Sequence, residues 1–249
     1  MRSVWGRAGF CLVCAAISPA QAAEGSSAPW WSLPKLPLPA GRNYLLFASL
    51  DSGPGQRFAA GGVKWALGGD LDSSGFRAIV RVGGAERVKN GRLPIPADAK
   101  GETYALIGAD QLTGRGAIGI YIGHETASEW TGQARRTGLP PALRSGLRLQ
   151  ADLWDHPAPD MLAHASASAS TATQQFWGRL ALGYRAFGRA FIGPEIEGSI
   201  TPTYRKWRYG VHISGLAFLG LDWRASIGQE RASDRGRGLY ATLSVYWRS

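Results

Sequence analysis

Two pairings in this chain have spacings that could do chemistry. His164-Ala165-Ser166 puts an imidazole and a hydroxyl on one face of an extended strand. A nucleophilic serine needs such a base within hydrogen-bond reach. Glu195 and Glu197 repeat the spacing with two carboxylates. Their Cα atoms would stand about 6.5–7 Å apart on one strand face, which does not by itself select a glycosidase geometry. The same rhythm holds in Arg148, Gln150 and Asp152, and in Asp222 and Arg224. Sugar rings stack on aromatic faces and offer hydroxyls to Asp, Glu and Arg. Arg148, Gln150, Asp152, Glu195, Glu197, Asp222 and Arg224 are therefore the candidate glycan-contacting residues, facing an interior if the strands close. The competing reading is that interior charges pair with one another and plug a narrow lumen.

The catalytic reading of His164 and Ser166 is the weaker one. Ser166, Ser168 and Ser170 alternate with Ala163, Ala165, Ala167 and Ala169, so Ser166 has equivalent neighbours on its own face. No acid follows Asp160 on that segment, and an orienting acid must come from another strand. The expectation is a structural pair, no catalytic residues and no enzyme. Ser166→Ala should cost about 1 kcal/mol or less if one neutral hydrogen bond is lost. His124, His156 and His212 are isolated, without metal-ligand spacing such as His-x-x-x-His. Asp70 and Asp72 with Gly69 and Gly75 lack the closing Glu of a calcium loop, and read as a tight turn. No metal or cofactor is expected.

The start of the chain sets the compartment. Arg2 and Arg7 precede an uncharged, mostly apolar run from Ala8 to Ala23, with Ala20-Gln21-Ala22 as a small-x-small cleavage site. Residues 1–22 thus read as a secretory signal peptide. They hold both cysteines, Cys11 and Cys14, so the mature chain has no thiol chemistry. Their removal takes two arginines and no acids, leaving a formal charge of +10 less two, or +8. The basic residues are scattered among acids without a nucleic-acid motif, so nucleic acid is not an expected partner. Anionic lipid head groups and glycans are the expected counter-charges. Residues 23–43 form a Pro-rich periplasmic lead-in containing Trp30 and Trp31.

From Tyr44 to the end of the 44–249 barrel domain, apolar and polar residues alternate with the period of strands. Leu147, Leu149, Ala151 and Leu153 oppose Arg148, Gln150 and Asp152. Leu219, Leu221, Trp223, Ala225 and Ile227 oppose Gly220, Asp222, Arg224, Ser226 and Gly228. Twelve strands are expected, at 44–51, 56–68, 75–88, 102–112, 115–127, 146–156, 161–172, 175–186, 189–198, 204–215, 218–229 and 239–248. Long polar links are expected at Lys89–Gly101 and Ser128–Ser145. Aromatics such as Tyr44, Trp154, Trp207 and Trp247 fall near strand ends. The fold class is all-β: an antiparallel up-and-down transmembrane β-barrel of about 12 strands, the pattern of the bacterial outer membrane.

The ordered motifs Gly69-Asp70-Leu71-Asp72-Ser73-Ser74-Gly75-Phe76, Gln150-Ala151-Asp152-Leu153-Trp154, Gly193-Pro194-Glu195 and Gly238-Leu239-Tyr240-Ala241-Thr242-Leu243-Ser244 make the chain resemble the BcsS family of cellulose biosynthesis proteins of Gram-negative bacteria. The resemblance implies a non-enzymatic outer-membrane accessory that assists cellulose export or surface assembly. Its implied partners are cellulose or another glycan, the cellulose synthase and export proteins, and outer-membrane lipids. An outer-membrane lipid hydrolase using His164 and Ser166, and a general structural or diffusion barrel, are the alternatives.

Overall fold

The computed structural model describes residues 43–87, 98–234 and 236–248. The expected signal peptide, the lead-in apart from Asn43, and most of the 89–101 link lie outside the described residues. The described residues form twelve strands: β1 (Tyr44–Ser52), β2 (Gln56–Leu67), β3 (Gly75–Arg87), β4 (Ala99–Leu112), β5 (Gly116–Trp130), β6 (Ala142–Asp155), β7 (Met161–Ser170), β8 (Gln175–Phe187), β9 (Ala190–Ile200), β10 (Arg205–Phe218), β11 (Leu221–Ala232) and β12 (Gly236–Arg248). Each is antiparallel to its sequence neighbours, and β1 pairs with β12 from Leu45↔Arg248 to Ser52↔Ala241. The sheet is therefore a closed up-and-down barrel. Closure matters because an edge strand would leave a row of unpaired N–H and C=O groups.

Connections at the end bearing the two termini are short, down to residues 188–189 and 219–220. The opposite end carries the two longest, 88–98 and 131–141. The second of these is shorter than the sequence suggests, because β5 runs on to Trp130 and β6 begins at Ala142. Between them a one-turn helix, α1 (Gly132–Thr137), starts where the Thr131 hydroxyl accepts the Ala134 N–H at 3.1 Å and ends at left-handed Gly138.

One hairpin lies elsewhere than the alternation implies. The β10–β11 turn is Leu219-Gly220, with φ of 55° and 73°, the paired left-handed conformations of a tight hairpin turn. Leu219 thus belongs to the turn and not to the apolar face. The cause is a bulge between Ile213 and Leu216, at Gly215 with φ of 77°. The extra residue resets the alternation and lets the strand continue to Phe218. Trp154 is a second correction: it shares the inward face of Arg148, Gln150 and Asp152 and stacks on His164 at 3.7 Å.

The sheet is apolar outside and charged inside. Val80, Ile107, Ile122, Leu149, Ile196, Val211 and Ile227 are exposed, whereas Arg77, Glu125, Arg208, Arg224 and Glu230 are at most 3 % exposed. Exposed aromatics flank the apolar belt. Trp65, Phe76, Tyr184 and Phe218 stand at the terminal end, and Phe176, Trp207 and Tyr209 at the other. This inverts the soluble pattern and matches a barrel whose solvent on the outside is lipid. Replacing Ile122, near the middle of β5, by Arg is expected to destabilise the barrel in lipid bilayers by about 2–4 kcal/mol. Equilibrium unfolding in vesicles measures this, and a change within about 0.5 kcal/mol, normal for an exposed position facing water, would speak against lipid contact.

Candidate functional site

Every candidate residue named from the sequence lies on the inward face. Register settles this: β5–β6 pairs Gly123↔Arg148 and Gly119↔Asp152, β6–β7 pairs Asp152↔Ser166, and β8–β9 pairs Ala181↔Glu195 and Arg179↔Glu197. Among the described residues, titratable groups from many strands therefore converge in the lumen.

They converge in pairs. Arg148 lies 3.2 Å from Glu125, donates to the Ser168 hydroxyl at 3.0 Å and covers the Tyr104 ring at 4.4 Å. Gln150 donates to Asp152 at 2.8 Å. Arg224 is bonded to Glu195. Glu197 lies 3.4 Å from Arg208 and 3.8 Å from Lys206. Asp222 sits at the terminal end of β11, within the electrostatic reach of Arg189 and Arg248.

Several interior charges were not singled out in the sequence. Arg208 is the largest hub: it bonds both oxygens of Asp51, donates to Glu230 at 2.7 Å, and lies over the Tyr240 ring at 4.7 Å. It joins β10 to β1 across 157 residues of chain. On the other wall Asp110 receives Lys64 at 2.6 Å, Arg77 at 3.2 Å and the Tyr121 hydroxyl. Arg81 pairs with Glu102 at 2.5 Å between the rings of Phe58 and Tyr104. Alternation could have placed each of these on the polar face. Which strands meet across the lumen needs the register and the curvature of the closed sheet.

The His164–Ser166 pair is assembled in the lumen, with a fixed set of partners. Ser166 Oγ lies 3.0 Å from His164 Nε2 and donates to Asp152 at 2.7 Å. Arg224 lies 3.2 Å from His164 Nδ1. A guanidinium can only donate, so Nδ1 accepts and the imidazole proton sits on Nε2, pointing at the serine. His164 therefore has no lone pair free to take the Ser166 proton, and that proton already goes to Asp152. Losing Ser166 also costs more than one neutral hydrogen bond. Its partner is a carboxylate, and hydrogen bonds to charged groups contribute about 1.5–3 kcal/mol.

Other sequence readings resolve simply. Asp70 closes its own turn by accepting the Asp72 N–H at 3.0 Å. His124 is exposed on the outer face, and His156 packs on Phe191 with ring centroids 5.5 Å apart. Among the described residues no three His, Cys, Asp or Glu side chains gather as a metal site.

The family model described as "Cellulose biosynthesis protein BcsS" matches residues 45–249. No curated protein matches by sequence. Among solved structures, a KdgM porin is similar at 10% identity and a TM-score of 0.49, over 82% of this chain and 98% of the porin. LpxR from Salmonella typhimurium is similar at 12% identity and a TM-score of 0.47, over 82% of this chain and 99% of LpxR.

The Arg208 hub yields a stability prediction. Arg208→Met would leave Asp51, Glu197 and Glu230 without their shared cation, and breaking a buried ion pair by one partner costs about 3–5 kcal/mol. Lys100→Met removes the exposed partner of Glu129 and should cost about 0–1 kcal/mol. Urea titration of the folded, heat-modifiable species checks both values, and equal midpoints would contradict the hub.

Proposed function

Because the chain belongs to the BcsS family of cellulose biosynthesis proteins, we propose that it is a non-enzymatic outer-membrane accessory of cellulose production that assists export or surface assembly of the polysaccharide without threading it through its own lumen. The observation that carries this reading is the interior ladder of paired charges. A polymer path would have to break the contacts of Arg208, Arg224, Arg148 and Asp110 at once. The seven lumen residues named above act, on this reading, as plug and brace. An outer-membrane seat is supported by the apolar outer belt between two sets of aromatics, and the longer connections then face outward. Cellulose synthase and export proteins, and the glycan itself, would meet the protein at its ends.

The lipid-hydrolase reading draws on the 3.0 Å approach of Ser166 to His164. It is disfavoured by the Arg224 contact on Nδ1 and by the inward, buried placement of both residues. A diffusion barrel is disfavoured by the same charge ladder that closes the polymer path.

Deletion of the protein is expected to lower cellulose at the cell surface while synthase activity in isolated inner membranes stays unchanged. Surface cellulose at the parental level under producing conditions would overturn the proposal. Complementation with Ser166→Ala or His164→Ala should restore surface cellulose and leave outer-membrane lipid acylation as in the parent. Loss of a lipid-modifying activity in a folded variant would instead establish the hydrolase.

A further inference from the structure

We infer that the outer wall formed by β9–β12 and β1–β3 is a binding site for a phosphate-bearing lipid, its acyl chains in an apolar furrow and its phosphate on arginines at the rim. The inference rests on the outer-membrane seat proposed above, not on the link to cellulose.

The furrow has a volume of about 1090 Å³ and crosses those strands. Leu50, Ile192, Val211 and Leu243 form its walls, all exposed, while Ala225 and Ala241 keep its floor low. The register links its lining into one row: Val211↔Ile227, Ile227↔Ala241, Ala241↔Ser52 and Ser52↔Arg57. The row therefore ends at Arg57, on the rim that carries the longer connections.

Three further arginines share that rim. Arg205 is the first residue of β10, Arg231 stands one residue before the end of β11, and Arg237 is the second residue of β12. All alternate onto the outer face with Trp207, Tyr209 and Leu239, and all are exposed. Arg231 and Arg237 are direct cross-strand partners. Like charges directly opposite are destabilising, yet among the described residues none of the four guanidinium groups makes an ion pair or hydrogen bond; Arg205 bonds Ser233 only through its backbone, the N–H donating to the Ser233 hydroxyl at 3.1 Å. Glu86 stands opposite Arg57 in the register without an ion pair forming. From β10 to β2 the arc spans four strand spacings, about 19 Å at about 4.8 Å each.

An occupant must be apolar along the furrow and anionic at its outer end. Guanidinium groups hold phosphate through paired, charge-assisted hydrogen bonds, and a lipid in the outer leaflet sets its head group at the level of this rim. A second copy of the chain fits poorly. Two copies share one orientation in a membrane, so joining them through this face would bring two arginine arcs together.

The test uses the purified full chain in detergent micelles, with native mass spectrometry as the readout. The probes are diphosphorylated lipid A, the same lipid without its phosphates, and inorganic phosphate. The phosphorylated lipid is expected to bind about tenfold or more tightly than the dephosphorylated one, one lost phosphate–arginine contact being worth roughly that factor. Inorganic phosphate should not displace it. Arg231→Gln with Arg237→Gln should remove that preference, and Ala241→Trp should block both lipids by filling the furrow with the charges intact. Retention of heat-modifiable mobility verifies folding of each variant. Equal affinity for the two lipids, displacement by inorganic phosphate, unchanged binding in both folded variants, or a dimer through this face would overturn the inference. Failure of a variant to fold leaves the wild-type comparison of the two lipids as the deciding result. A cell that loses surface cellulose on deletion while the protein shows no lipid preference would overturn the site and leave the proposed function standing.

Discussion

The rest of the structure depends on the closure of β1 onto β12. In a lipid environment no water is present to satisfy a free strand edge, so a sheet must pair its first strand with its last. Closure then creates a second requirement. The inward face is largely withdrawn from water, and its charges pair with one another. Arg208 meets both demands. It binds Asp51 on β1, Glu197 on β9 and Glu230 on β11, so the same side chain that neutralises the interior also ties the closing strand to the far side of the seam.

Much of this was legible in the sequence, because a strand with different solvents on its two faces must alternate. The twelve strands and the inward position of Arg148, Gln150, Asp152, Glu195, Glu197, Asp222 and Arg224 follow from that rule alone. Where the rule failed, the causes were local. The bulge at Gly215 shifts the phase of β10 by one residue, which misplaced Leu219 and the adjoining turn. By residue type Trp154 groups with the rim aromatics, although the alternation that places Arg148, Gln150 and Asp152 inward assigns it to the lumen beside His164. The long Ser128–Ser145 link concealed strand ends and the α1 turn, because its polar residues obscure the alternation.

Pairing across the lumen was not legible. The Ser166 hydroxyl had no visible acid on its own strand, and the structure supplies Asp152 from β6. It also supplies Arg224 from β11, whose contact with His164 fixes the direction of the hydrogen bonds. A His-x-Ser spacing is therefore compatible with opposite chemistries, and the group on the far nitrogen of the imidazole decides between them. The same holds for the paired glutamates. Glu195 and Glu197 share a face and a spacing, but each is committed to a different arginine.

On the function proposed above, the interior charges close the barrel and do not line a path. The most direct measurement is ionic conductance of the purified full chain inserted into a planar lipid bilayer at neutral pH, with insertion verified by protection of the strands from protease. No steady current beyond that of the bare bilayer is expected. Uniform, long-lived conductance steps from the inserted protein would contradict it.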